Sequence, residues 1–141
     1  MRKRIGLIDV VQELCSQIET SHTRIDDRTA RVMLETKTST VNTGIFADHD
    51  NSGFEYFTPL INLKGQKDSF KSTLAPVVME NPPPRELSYV FRSDTYGIVG
   101  TKSQLPFTRE GVKRSILDAF GRVSRFVDND FPNIKYKLDK D

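Results

Sequence analysis

Asp48, Asp50, Ser52 and Gly53 have the most chemistry-like spacing in the chain. Oxygen-bearing side chains at alternate positions, closed by a glycine, match the opening of a calcium-binding EF-hand loop. The match then fails, because the closing acid's place falls on Pro59 and aromatic, strand-like residues stand where a second helix should begin. The stretch therefore reads as a solvated hairpin loop. His22 and His49 are the only histidines, and neither has a second histidine or a cysteine at a helical ligand spacing. A metal site would need Asp26, Asp27, Asp48 or Asp50 to converge on them in space, so no metal and no other cofactor is expected. Ser16, Ser103 and Ser115 lack the context of a nucleophile elbow, and the glycines are scattered instead of forming a phosphate cradle. The adjacent carboxylates Asp26 and Asp27 fit a turn or a helix cap better than acid–base work. These residues predict a non-enzyme; a small enzyme or ligand-binding domain with its pocket under Asp48–Gly53 is the weakest of three readings.

The basic residues offer a different chemistry. Arg109, Lys113, Arg114, Arg122 and Arg125 lie off the apolar stripe of a helical segment, offset before its end by Glu110 and Asp118. Such a face, aided by Arg2, Lys3 and Arg4, could track phosphates. No aromatic residues interleave with it for base stacking, and the formal charge of +2 leaves no whole-surface polycation. A solvated face or an intersubunit salt-bridge surface is the favoured reading. Cations just before a helix oppose its macrodipole, so Arg2, Lys3 and Arg4 are expected to find acceptors elsewhere, on a partner among other places. The candidate partner-binding set is Arg2, Lys3, Arg4, Arg114, Arg122, Arg125 and, from the tail, Ile134 and Tyr136.

The elements that position these groups come from periodicity. Ile8, Val11, Cys15 and Ile18 recur at helical spacing, widened by Leu7 and Leu14, and predict a helix over about 5–19. Cys15, the only cysteine, lies in that stripe and is read as a small buried hydrophobe in a reducing compartment, with no disulfide available. Ala30, Val32 and Leu34 alternate with polar neighbours and predict a strand over about 29–38, with Val41–Ala47 as its hairpin partner. Further strands are expected at 54–58, 60–63 and 74–79, with Pro59 marking an edge or a bulge and Gly65–Ser72 a loop. Pro82-Pro83-Pro84 is a rigid connector, and residues 86–102 form a hairpin turning at Ser93-Asp94. Thr108 caps a second helix whose stripe is Val112, Ile116, Ala119, Phe120, Val123 and Val127, ending near Asp128 ahead of Pro132. In the tail, 129–141, Ile134, Tyr136 and Leu138 alternate with lysines and suggest a last strand or pairing with a neighbouring subunit.

The fold class predicted is α+β, residues 1–141 forming one domain: a mainly antiparallel sheet, its strands within about 29–102, packed by an N-terminal and a C-terminal amphipathic helix. Asp9, Gln12 and Glu13 interrupt the apolar start too early for a signal peptide, and no run reaches the length of a membrane span. A modest apolar content (36%) beside 28% charged residues, polar loops and charged tails favours a structural subunit of a larger homo- or hetero-oligomer. A viral or phage particle component, such as a ring-forming connector or tail-completion protein, is a concrete version, cytoplasmic or built into the particle. The rival is a nucleic-acid-binding α+β module using the basic terminal segments.

Overall fold

The computed structural model describes residues 4–66 and 68–139, with the backbone alone at 69–71. In chain order the elements are α1 (Leu7–Gln17), β1 (His22–Asp26), β2 (Thr29–Glu35), β3 (Thr40–Ala47), β4 (Phe54–Asn62), α2 (Asp68–Glu80), β5 (Leu87–Arg92), β6 (Thr95–Lys102), α3 (Arg109–Arg125), a π-helical turn (Phe126–Asp130) and α4 (Phe131–Asp139). The fold is α+β. Six strands form one antiparallel sheet in the order β1-β2-β3-β4-β6-β5.

Alternation within the strands divides the sheet into two faces. Ala30, Val32, Leu34, Ile45, Phe54, Tyr56 and Ile98 turn toward the helices and are buried with the α1 residues Leu7, Ile8, Val10, Val11, Leu14 and Cys15 and the α3 residues Ile116 and Val123. Each fully buried large aliphatic side chain contributes about 1.5–3 kcal/mol, so this face holds the chain together. Thr43 and Thr58, also on that face and fully buried, satisfy one another through their hydroxyls at 2.8 Å. Gly100 is required here, because a Cβ at that position would lie 2.2 Å from the Tyr56 ring.

Several elements form where the sequence points to them. Thr108 Oγ1 accepts from the Gly111 N–H at 3.1 Å, capping α3. β5 and β6 turn through Ser93 and Asp94, both with positive φ (47° and 62°), the mirror-image turn that matches strand twist. Pro59 sits beside a bulge in a single long β4, where the register with β6 shifts between Pro59 and Ile61.

Three expectations are corrected. Residues 74–79 are not a strand: they belong to α2, together with part of the stretch read as a loop. Leu74 and Val77 are buried one turn apart, while Ser72 and Pro76 are exposed, which puts the proline on the solvent side of the helix. The tail is not a strand either. The helix that was to stop near Asp128 continues through the π turn, where the Phe131 N–H bonds the Phe126 carbonyl five residues back, into α4, and Pro132, which has no N–H to donate, follows directly on that wider turn. Ile134 and Leu138, four residues apart, are buried beside α2, whereas Tyr136 points out at 62% exposure. Finally, β1 lies outside the expected strand region; it is a short edge strand with little apolar signal, tied by Met33 N–H to Ser21 O (2.9 Å) and by Arg24 to Asp9 and Gln12 of α1.

Candidate interaction surface

The acidic loop serves the fold. Asn51 Oδ1 accepts the Leu7 N–H at 3.0 Å and so caps α1 from a distance, since Gly6 offers no side-chain cap. Within the loop, Asp48 N–H donates to Gly53 O and Ser52 N–H to Asp50 Oδ1. The Ser52 hydroxyl first, and then that N–H bond, hold the Asp50 carboxyl below its usual range. Gly53 leaves no room for a Cβ, which would stand 2.4 Å from the Lys102 carbonyl oxygen. No group of three His, Cys, Asp or Glu among the described residues is placed to hold a metal ion. His22 Nδ1 faces the Thr20 carbonyl at 3.1 Å. Cys15 is fully buried, and desolvation pushes its thiol up to about 11, which keeps it protonated and inert near neutrality.

The basic helix face is largely engaged within the chain. Arg109 meets Glu13 at 2.7 Å, and the mostly buried Lys113 lies 3.4 Å from Glu13 and 3.6 Å from Glu110. Arg122 reaches Asp118 and Glu86, each at 3.0 Å, and Lys102 joins the same two carboxylates. Hydrogen bonds from Lys102 and then Arg122 hold the Asp118 carboxyl below its usual range. Arg4 donates to the Leu105 carbonyl at 2.5 Å and covers the Phe107 ring at 4.2 Å, so its acceptor is internal. Of the sequence-derived candidates, Arg114, Arg125 and Tyr136 stand exposed, Arg122 is half-buried in the ion cluster and Ile134 is core. Arg2 and Lys3 lie outside the described residues. Among the described candidate cations, Arg122 alone is paired with carboxylates, Asp118 and Glu86, while Arg4 is held by a neutral carbonyl.

A different surface emerges from the topology. α1, α2, α3 and α4 all pack on the same face of the sheet: α1 and α3 contact β2, α3 contacts β6, α2 contacts α4, and Tyr89 of β5 meets Phe126 edge-on at 5.9 Å and donates its hydroxyl to Asn81 O. No described helix covers the other face. Its outward positions include Arg31, Met33 and Glu35 on β2, Phe46 on β3, Glu55 and Phe57 on β4, Val99 and Thr101 on β6, and Val90 and Arg92 on β5, by the register that pairs Gly44 with Phe57, Phe57 with Val99 and Gly97 with Val90. Phe46 (39% exposed) leans over Gly44 toward Phe57, and the Arg92 guanidinium lies 5.0 Å above the Phe57 ring while pairing with Glu55. The result is an apolar band across four strands, Phe46, Phe57, Val99 and Val90, bordered by charges of both signs. Antiparallel sheets with one solvated face ordinarily keep that face polar.

No protein-family model, curated protein or solved structure matches this chain.

Proposed function

We propose that the protein is a non-enzymatic assembly subunit that docks protein partners on the open face of its sheet. The observation that supports this reading is the band of Phe46, Phe57, Val99 and Val90 on a face that no described helix covers. Large apolar groups grouped on a water-facing sheet favour a protein partner. The mixed border of Arg31, Glu35, Glu55 and Arg92 also suits a protein better than a polyanion, which would favour cations alone. Polar groups of the acidic loop and of α3, by contrast, are engaged in a cap and in ion pairs, as at Asn51, Asp118 and Arg122. Within this class, a small connector or tail-completion subunit of a viral or phage particle is the concrete version; it rests on chain size and layout. No helix among the described residues is long and apolar enough to cross a membrane.

The test is native fractionation of a tagged copy from its own cell. The wild-type chain should migrate with a complex several times its own mass. Phe46→Glu and Val99→Lys should release it as a folded small species. A wild-type chain that migrates free, or variants that stay in the complex, would reject the reading.

A further inference from the structure

We infer that the chain forms a two-fold symmetric dimer by pairing β5 with β5 of a second copy, joining the two sheets edge to edge. This names one partner within the assembly reading and rests on it. The sheet has two edges, β1 and β5, and they differ. β1 is short, is bulged between Arg24 and Asp26, and runs into the acidic turn at Asp26-Asp27; these are devices that discourage strand addition. β5, Leu-Ser-Tyr-Val-Phe-Arg, has no proline, bulge or lysine, and is rich in residues that favour strands.

The register of the dimer follows from which backbone groups remain open. Arg92 and Thr95 flank the two-residue turn and exchange hydrogen bonds, so Arg92, Val90 and Ser88 face β6. Leu87, Tyr89 and Phe91 turn their N–H and C=O groups to the outer edge. The Leu87 N–H is already engaged by the Pro84 carbonyl at 3.1 Å. No described residue pairs with the outward backbone groups of Tyr89 and Phe91. Those groups are matched when Tyr89 faces Phe91 of the second copy and Phe91 faces its Tyr89, which makes four backbone hydrogen bonds and sets Val90 against Val90 on the two-fold axis.

Side chains agree with this register. Phe91, 56% exposed, would come against the Tyr89 ring of the second copy, a ring already fixed by stacking on Tyr96 at 5.6 Å. Phe91 also borders an apolar groove of about 450 Å³ shared with Leu63, Leu74, Val78, Met79 and Tyr96, in which Met79 is 81% exposed. The pairing would extend over that groove. Arg92 falls opposite Ser88 instead of another arginine, so no like charges meet across the seam. On the open face, Val90 against Val90 would fuse the apolar bands of both copies into one docking surface.

The experiment measures mass by light scattering over a range of concentrations, with three variants. Wild-type protein should show a mass moving toward twice the 16.1 kDa of the chain as concentration rises. Phe91→Lys, and Phe91→Pro, which removes an outward N–H and leaves the β6 ladder intact, should each weaken self-association by about ten-fold or more while far-UV circular dichroism stays native. Val90→Cys should form a disulfide-linked dimer under mild oxidation, since directly opposed residues of a non-hydrogen-bonded pair lie within disulfide reach. Asn42→Cys, an exposed position on β3 of the same face, should not cross-link. A wild-type chain that is monomeric throughout, or a dimer that survives both Phe91 variants with no Val90→Cys cross-link, overturns the pairing. Neither result touches partner docking on the open face, which native fractionation judges separately.

Discussion

Tyr56→Phe should make this protein more stable. Tyr56 is 1% exposed, its ring lies across Gly100 and 5.9 Å from Phe54, and its hydroxyl is the one buried side-chain oxygen among the described residues with no hydrogen-bond partner. A buried hydroxyl without a partner costs about 1–3 kcal/mol. Deleting the oxygen leaves the apolar contacts of the ring and forfeits only a few tenths of a kcal/mol of dispersion, roughly. The net expectation is a gain of about 1–2 kcal/mol. With an unfolding entropy of about 2.1 cal/mol/K per residue over 141 residues, that gain raises Tm by about 3–7 °C. Urea unfolding and differential scanning calorimetry measure both quantities. The pH dependence adds a second readout. Burial pushes the Tyr56 phenol up to about 12, above its unfolded value near 10, so the neutral form is favoured on folding. The wild-type chain therefore keeps this contribution below about pH 10 and loses it as pH rises toward 12; the phenylalanine variant has nothing to lose there, and its advantage widens. If Tyr56→Phe instead destabilises by about 1 kcal/mol, the hydroxyl is hydrogen-bonded in the folded protein and not an unpaired buried group. Tyr56 would then be the first residue to examine as a ligand handle.

Asp128 accepts from the Lys37 and Thr38 N–H groups, both at 3.0 Å, and from the Thr38 hydroxyl at 2.6 Å, so the helix end clamps the β2–β3 turn. These bonds, that from the Thr38 hydroxyl foremost, bring its carboxyl down to about 2; their stabilisation is present above about pH 4 and lost as pH falls toward 2, and Asp128→Asn should flatten that acid limb in melting curves. For the Thr43–Thr58 pair, either single valine should cost about 1–3 kcal/mol in urea unfolding while the double valine approaches wild type; additive losses would contradict a hydroxyl pair whose two members serve only one another. Ile134→Asp should destabilise by about 3 kcal/mol or more, whereas Tyr136→Asp should stay within about 1 kcal/mol. Equal costs at the two positions would restore a strand in the tail, where both residues share a face.

The legible parts of the fold were those where one period dominates and a cap or turn residue agrees with it. α3 has a long stripe and Thr108; the last hairpin has Ser93-Asp94 between alternating residues. Ambiguity arose where one spacing serves two structures. Ile134 and Leu138 are two strand steps or one helix turn apart, and only α2 beside them selects the helix. Pro76 argued against helix, yet it stands on the exposed side of α2, away from the buried Leu74 and Val77. β1 carries its stabilisation in Arg24 and in pairing with β2, neither of which is an apolar pattern. The candidate surface was half visible. Phe46 falls on the polar phase of its strand, out of step with Ile45 and Ala47, and that anomaly could have marked it. Its joining to Phe57, Val99 and Val90 depends on the order β3-β4-β6-β5, which no local pattern contains. For Arg109, Lys113 and Arg122 on the basic helix face, acceptors such as Glu13 and Glu86 come from distant segments, which no local pattern shows.

The open face itself can be interrogated in place, because buried Cys15 is silent to thiol reagents and an introduced cysteine reports alone. Maleimide labelling of Thr101→Cys, exposed on the open face, is compared with Leu117→Cys, exposed on the helix side, in the complex from native cells and in the purified chain. Docking on the open face predicts that labelling at 101 slows by about ten-fold or more in the complex while labelling at 117 is unchanged. Equal rates at 101 in both states, with or without protection at 117, would contradict it.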